Sequence, residues 1–294
     1  MKSRGKGLLF AGLGASLWGS AGVTGQVLMD NYHLPATALS VWRLILSGLL
    51  LLGFDYLLHR ESLLRPWKDR ADALRLFVFA VFGMMGTQYF YFRAIQYSNA
   101  PTGTILQYLM SILLIFYTAF EERRLPRGME ISCAILAMAG TFLVVTGGDW
   151  HAVKISQAAL FWGILSALAE AVYVVEPIPL MKRYRPSLLV GWGMLAGGVA
   201  LIPFMDAPIT AGVVSFSSLM VFLLCVLFGT VVPFLLFLMS VAEISPGEAG
   251  ILGAMEPLSS LVLSLLFLTV SFSGMQITGV LVIVAAVVLV SSGK

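Results

Sequence analysis

Gly128-Met129-Glu130-Ile131-Ser132 returns as Gly274-Met275-Gln276-Ile277-Thr278, the same phrase written again 146 positions later. The offset continues upstream, where Phe82-Gly83 matches Phe228-Gly229. In a chain of 294 residues this spacing is close to half the length, so one unit has been written twice. Self-similarity at a fixed spacing is the first thing to settle, because it decides the architecture as a whole.

The solvent for that unit follows from composition. The chain is 59% hydrophobic and 11% charged, with a mean hydropathy of +0.93. Soluble domains carry roughly 25% charged residues, and so few charges cannot cover a globule of this size, so the chain is expected to sit in a lipid bilayer. The net charge is +3, but the basic residues gather in short loops, which argues against a nucleic-acid surface. Cys133 and Cys225 both fall inside apolar runs and read as reduced core residues, with neither a disulfide nor a metal site indicated.

A spanning helix needs about 20 apolar residues. Ten stretches qualify: 8–29, 36–58, 74–95, 101–120, 129–147, 156–178, 187–205, 217–241, 248–268 and 275–292. The first follows three basic residues but is too long for a signal-peptide core, and it has an internal counterpart, so it reads as a retained helix. Basic residues set the orientation. Fourteen lie at the termini and in the loops after the second, fourth and sixth stretches, against Lys154 alone in the alternate loops. Both termini are therefore expected in the cytoplasm.

The first stretch aligns with the sixth at an offset of 152, through Leu13 with Leu165, Ala15 with Ala167 and Tyr32 with Tyr184. From the third stretch onward the offset is 146. Residues 1–147 and 156–294 thus form two five-helix repeats, and an odd number of spans inverts the second relative to the first. Together these give an all-α integral membrane fold of ten transmembrane helices. In a chain this apolar, an inverted repeat is the mark of a secondary transporter with its site near the midplane between the halves.

Short motifs add a resemblance. Leu17-Trp18-Gly19, Arg43-Leu44, Ala94-Ile95-Gln96-Tyr97-Ser98-Asn99-Ala100, Glu122-Arg123 and Glu256-Pro257 occur in this order along the chain. In order and spacing they resemble the two-domain EamA branch of the drug/metabolite transporter superfamily, over almost the whole length. The resemblance implies a small-molecule carrier working by alternating access, more often outward. Two departures stand out. Ser111-Ile112 replaces the Ser-Pro pair frequent in the first repeat, so no proline enforces a break in the fourth helix. Glu170 aligns with Trp18, where the family would lead one to expect an aromatic residue.

Ionisable groups inside a bilayer cost at least about 2.5–3.5 kcal/mol at a helix centre, which makes them the first candidates for function. Glu170 lies just past the middle of the sixth stretch, with Ser166, Tyr173 and Pro177 on its face. Glu256 lies near the middle of the ninth, with Gly253, Ser260 and Ser264 on or beside its face. Pro257 loosens the backbone there and should free a carbonyl to face a cavity. The two carboxylates are expected to bind a cation, a substrate ammonium or a coupling proton; a purely structural Glu-Pro step is the alternative for Glu256. Arg43, on a face with Ser47, and Arg93, on a face with Tyr89 and Gln96, could hold a carboxylate or phosphate, or could snorkel to the interface. Thr104, Gln107, Tyr108 and Ser111 form a polar stripe whose counterparts at the 146 offset are Gly250, Gly253, Ala254 and Pro257. With Trp18, Gln88, Tyr89 and Tyr173 they suggest an aromatic, amphipathic site.

No cluster looks catalytic and no phosphate loop is present, so neither an enzyme nor an ATP-driven pump is expected, and no cofactor. The sequence predicts a cell-membrane secondary transporter of a small metabolite such as an amino acid or organic amine, with the proton as a coupling ion, acting as monomer or homodimer. An uptake carrier for an organic cation or nucleoside is the alternative, followed by a channel or a membrane-embedded enzyme.

Overall fold

The computed structural model describes residues 3–98, 100–153, 156–205, 215–268 and 273–292, and every regular element among them is helical. Among the described residues eight helices are long and apolar enough to cross a membrane: α1 (Arg4–Met29), α2 (Ala36–His59), α3 (Arg70–Ile95), α4 (Gly103–Glu121), α5 (Gly128–Thr146), α6 (Gln157–Lys182), α7 (Pro186–Phe204) and α8 (Phe216–Ser240). They are followed by α9, in two segments (Pro246–Leu252 and Met255–Leu268), and by α10 (Gly274–Ser292). The short loop bearing Lys154 lies outside the described residues.

Helix ends follow local chemistry. Ser245 caps α9 by accepting from the Glu248 amide at 3.2 Å, with Pro246 in the first turn where its missing N–H costs nothing. Ser156 does the same for α6, accepting from Ala159 at 3.0 Å. Gly147, at φ 65°, ends α5 in the left-handed conformation that glycine adopts without strain.

The packing has a recurring plan. The principal helix contacts are α2 on α7, α5 on α10, α3 on α6 and on α7, α1 on α8, α1 on the second segment of α9, and α4 on the first. Without a hydrophobic drive between helices in lipid, close packing of small residues carries the association. Where α5 crosses α10, a Cβ on Gly140 would lie 2.9 Å from the Gly279 carbonyl oxygen, and one on Gly279 would lie 2.8 Å from that of Gly140. Neither position has room for a side chain.

Two helices widen by a π-type turn, α3 at Phe79–Met85 and α8 at Leu227–Val231. Each holds one of the matched glycines. Gly83 abuts the backbone of Tyr173 and Gly229 abuts Ala21, and Tyr173 and Ala21 are themselves matched at the 152 offset. The same contact is thus made twice.

Two helices are also broken mid-way. The α9 break at Gly253–Ala254 follows from Pro257, which offers no amide to the carbonyl four residues back. Helix α4 is interrupted at Tyr108–Leu109 although it has no proline there. Tighter bonds, Leu109 N–H to Leu106 O and Ser111 N–H to Tyr108 O, take over through the interruption.

Candidate functional site

The two breaks face each other and are stitched together. The Tyr108 hydroxyl donates to the Gly253 carbonyl, and Ser111 Oγ donates to the Gly250 carbonyl at 2.9 Å. The carbonyl freed by Pro257 is therefore taken up by α4, where the sequence suggested that it would face a cavity. This also explains why the stripe is polar on one helix and glycine-rich on its counterpart: one side donates, the other exposes backbone. Gln107 sits partly buried on the same stripe.

Glu256 stands in the first turn of the second α9 segment, partly buried. A half-helix N-terminus inside a membrane presents partial positive charge to such a carboxylate. Its charge lies within electrostatic reach of Glu170, Tyr91, Tyr108 and the Arg43 guanidinium. Arg43 donates to Gln88 Oε1 at 2.5 Å while its Nε has no hydrogen-bond partner.

Glu170 is in a different position. It lies within continuous helix α6, is 8% exposed, and its carboxylate has no hydrogen bond or ion pair among the described residues. One turn before it, Ser166 Oγ is buried without a partner, and so is the indole N–H of Trp18. Native proteins rarely leave buried polar groups unsatisfied. Two such groups together with an unpaired carboxylate are an arrangement that an ammonium, a proton with water, or another hydrogen-bonding guest would complete.

Trp18 and Tyr173 join a ring cluster. The Trp18 centroid is 4.9 Å from Phe234, 4.7 Å from Phe237 and 6.2 Å from Tyr173. Tyr173 stacks on Phe79 at 6.0 Å and donates its hydroxyl to the Phe234 carbonyl at 3.1 Å. Tyr89 and Arg93 belong to another group. The Arg93 guanidinium lies over Tyr89, Tyr97 and Trp162 at 5.6–5.7 Å from their centroids, and Tyr89 packs on Phe204 at 4.7 Å. Sequence reasoning thus named Glu170, Glu256, Arg43, Gln88, Trp18 and Tyr173, which the fold gathers about the middle of the bundle, and Tyr89 and Arg93, which it sets in that separate group. Gln96, Ser260 and Ser264 have side chains outside the described residues. Missed were Tyr91, bonded to Thr104 at 3.0 Å and one turn from Gln88, and Phe79, Phe234 and Phe237. In the sequence, only their unequal partners in the repeat register set these aside from ordinary core residues.

The ion pairs among the described residues gather at the end carrying the basic loops. Asp55, buried in α2, takes two bonds from Arg185, at 3.0 and 2.9 Å, and one from Ser187 at 2.5 Å. Arg185 also donates to Glu61 at 3.0 Å, and this hydrogen bond holds the Glu61 carboxyl below its ordinary pKa of 4.5.

Comparison with known proteins puts this architecture in company. The model of the EamA-like transporter family matches residues 5–146 and again 157–292. The chain is 38% identical over 291 residues to a Salmonella typhimurium protein named "Uncharacterized inner membrane transporter YicL", covering 99% of this chain and 97% of that one. It is 24% identical over 254 residues to "Threonine/homoserine exporter RhtA" of the same species, covering 85% and 80%. A solved crystal structure matches with a TM-score of 0.80 at 18% identity, covering 98% and 96%, which is a likeness of fold.

Proposed function

The chain belongs to the EamA-like transporter family, and on that footing we propose that it is a secondary carrier exporting a small metabolite, such as an amino acid or organic amine, by alternating access. The membrane is the inner one, as in the name of its Salmonella relative. Ten spans form two inverted repeats, 1–147 and 156–294, and both termini lie in the cytoplasm. That orientation rests on the basic loops. The recurrence of wide turn, helix break and close contact at matched positions supports the repeats. The outward direction draws its support from the relative named as a threonine and homoserine exporter.

The observation that carries this reading is Glu170, a buried carboxylate without a partner among the described residues, within electrostatic reach of a second carboxylate, Glu256, that has both a helix N-terminus and Arg43 to offset its charge. The uncompensated acid is the place for a proton or a substrate ammonium, and Arg43 beside Gln88 is the place for a carboxylate. Exchange of proton for ammonium at Glu170 would couple the two movements.

Counterflow in proteoliposomes tests it. The wild-type protein should show saturable exchange of the transported amine or amino acid, and Glu170→Gln should lose most of it and with it the pH dependence. A Glu170→Gln protein that exchanges at the wild-type rate with unchanged pH dependence removes Glu170 from the mechanism. Ohmic current in place of saturable exchange makes the protein a channel.

A further inference from the structure

Glu170 and Arg43 each have a buried serine one turn away on the same helix, Ser166 in α6 and Ser47 in α2. Neither hydroxyl has a hydrogen-bond partner among the described residues, and neither serine has any exposed surface. Two more unpartnered groups belong to the same surroundings and can only donate: the indole N–H of Trp18 and the Nε–H of Arg43. Glu256 lies within electrostatic reach of Glu170 and of Arg43 alike. Thr141 and the Trp67 indole also lack partners but stand elsewhere. Thr141 adjoins Gly140 at the α5–α10 crossing, and Trp67 follows α2 and meets Trp192 at 5.4 Å.

The Trp18 side chain is used in two ways. Its ring is packed on Phe234, Phe237 and Tyr173, while its nitrogen has nothing to donate to. The contact with Tyr173 sets the indole against the α6 face that also carries Ser166 and Glu170. The Tyr173 hydroxyl is already taken, by the Phe234 carbonyl at 3.1 Å. A phenylalanine at position 18 and an alanine at position 166 would pack the same face without leaving a buried polar group unmet, and an unmet group costs stability. Packing therefore gives no reason for either polar atom.

The set defines the guest that completes it. An ionised Glu170 only accepts, so it takes a donor, best a cation. Trp18 and Arg43 only donate, so each takes an acceptor. A simple alkylamine answers Glu170 and leaves both donors unmet. The Arg43 fork matches the two oxygens of a carboxylate, which leaves the Trp18 N–H and Ser166 for a further oxygen.

We propose that Trp18 and Ser166 are specificity-determining residues that bind a neutral oxygen of the substrate, and that the substrate is a small zwitterionic amino acid with an oxygen in its side chain rather than a simple organic amine. This rests on the carrier reading above and names the substrate class of the same site. Glu170 takes the ammonium, Arg43 the carboxylate, and the Trp18 N–H with Ser166 the side-chain oxygen. A site with donors set for an oxygen rejects the analogue that lacks it far more strongly than an apolar pocket rejects the analogue that has it.

Four probes separate the contributions. L-Threonine and L-valine share a shape and differ by a hydroxyl in place of a methyl. 1-Amino-2-propanol and isobutylamine are the same two molecules without the carboxylate. Binding is read from the ligand-dependent melting shift of the purified protein. Threonine should bind about tenfold or more tighter than valine, and each amine roughly tenfold or more weaker than its parent amino acid. Trp18→Phe keeps a ring and removes the N–H; it should bring threonine within about threefold of valine, with valine binding itself changed less than about threefold. Ser166→Ala should narrow the same ratio and, without ligand, melt no lower than wild type, because the hydroxyl it removes has no partner to lose. That variant keeps the test open if Trp18→Phe does not fold. The assignment is overturned if none of the four shifts the wild-type melt, if valine equals threonine, if the amines equal their parents, or if both variants keep the wild-type ratio. Saturable counterflow of a simple amine without preference for threonine defeats the assignment alone. Threonine bound in the expected order but never exchanged defeats the carrier reading alone.

Discussion

Removing the hydroxyl of Tyr108 leaves the Gly253 carbonyl, freed by Pro257, without its side-chain partner at the centre of the bundle. The carbonyl keeps one bond, from the Glu256 amide at 2.9 Å, so it is under-satisfied rather than orphaned. An unpaired buried acceptor costs about 1–3 kcal/mol, whereas hydrogen bonds between helices in membranes average about 0.6 kcal/mol with a maximum near 1.7. With one bond retained and Tyr108 only 4% exposed, Tyr108→Phe should fall near the top of the membrane range, about 1–1.5 kcal/mol. Ser111→Ala, one turn away, should cost about 0.5–1 kcal/mol. Because both side chains hold the same segment of α9, the double variant should depart from the sum. In thermal unfolding of the purified protein the Tyr108→Phe midpoint should fall by roughly 2–5 °C. Tyr97→Phe is the control, since Tyr97 is exposed and its hydroxyl has no partner among the described residues. If Tyr108→Phe and Tyr97→Phe melt together, the stitching of α4 to α9 contributes nothing and the account of the proline-free break in α4 fails.

Three further outcomes follow from the same geometry. Gly140→Val places atoms within 2.7 Å of Ile283 Cγ1 and 2.9 Å of the Gly279 carbonyl oxygen, so it should cost about 1–3 kcal/mol by overpacking, read as a lowered melting midpoint, whereas Gly128→Ala, with nothing near its Cβ position, should be neutral. Asp55→Asn strips the buried partner from Arg185, which stays 30% exposed and keeps Glu61; the loss should be about 2 kcal/mol, below the 3–5 of a fully buried pair, and a midpoint within 1 °C of wild type would refute it. Glu61 titrates below its ordinary 4.5 because Arg185 donates to its carboxylate. The stabilisation it brings is therefore complete above that value and drains away as pH falls through the depressed pKa. A melting curve taken against pH should show an acid decline that Glu61→Gln lessens; identical declines would remove this pair from the balance.

Much of this was legible in the residues, and the exceptions have physical reasons. Composition and run length anticipated the apolar helices, and eight of the stretches are helices of spanning length. Pro257 announced the α9 break. The α4 break carried no local mark, because its cause lies in another helix: Tyr108 and Ser111 serve carbonyls that α9 exposes. The buried acids could be picked out because a charge in lipid is costly wherever it occurs. That Arg93 sits over three aromatic rings, in a group apart from the two acids, depends on which rings the fold brings beneath it. A phenylalanine such as Phe79 or Phe237 gives no signal at all taken singly, since lipid-facing and core rings share one composition.

What separates those rings from ordinary packing is comparison between the two halves of the one chain. Where the halves agree, as at Gly83 and Gly229, the residue serves the architecture both must share, and the contact it makes is repeated. Where they differ, the shared fold cannot be the cause, because the counterpart position folds equally well with another side chain. Trp18 against Glu170 is the sharpest such difference. The same backbone position holds the largest apolar ring in one repeat, sealed against Phe234 and Phe237, and an unpartnered acid in the other. A symmetric pore has no use for that exchange. The exchange puts a packing ring on one side of the bundle centre and a carboxylate open to a hydrogen-bonding guest on the other, and the shared fold accommodates both.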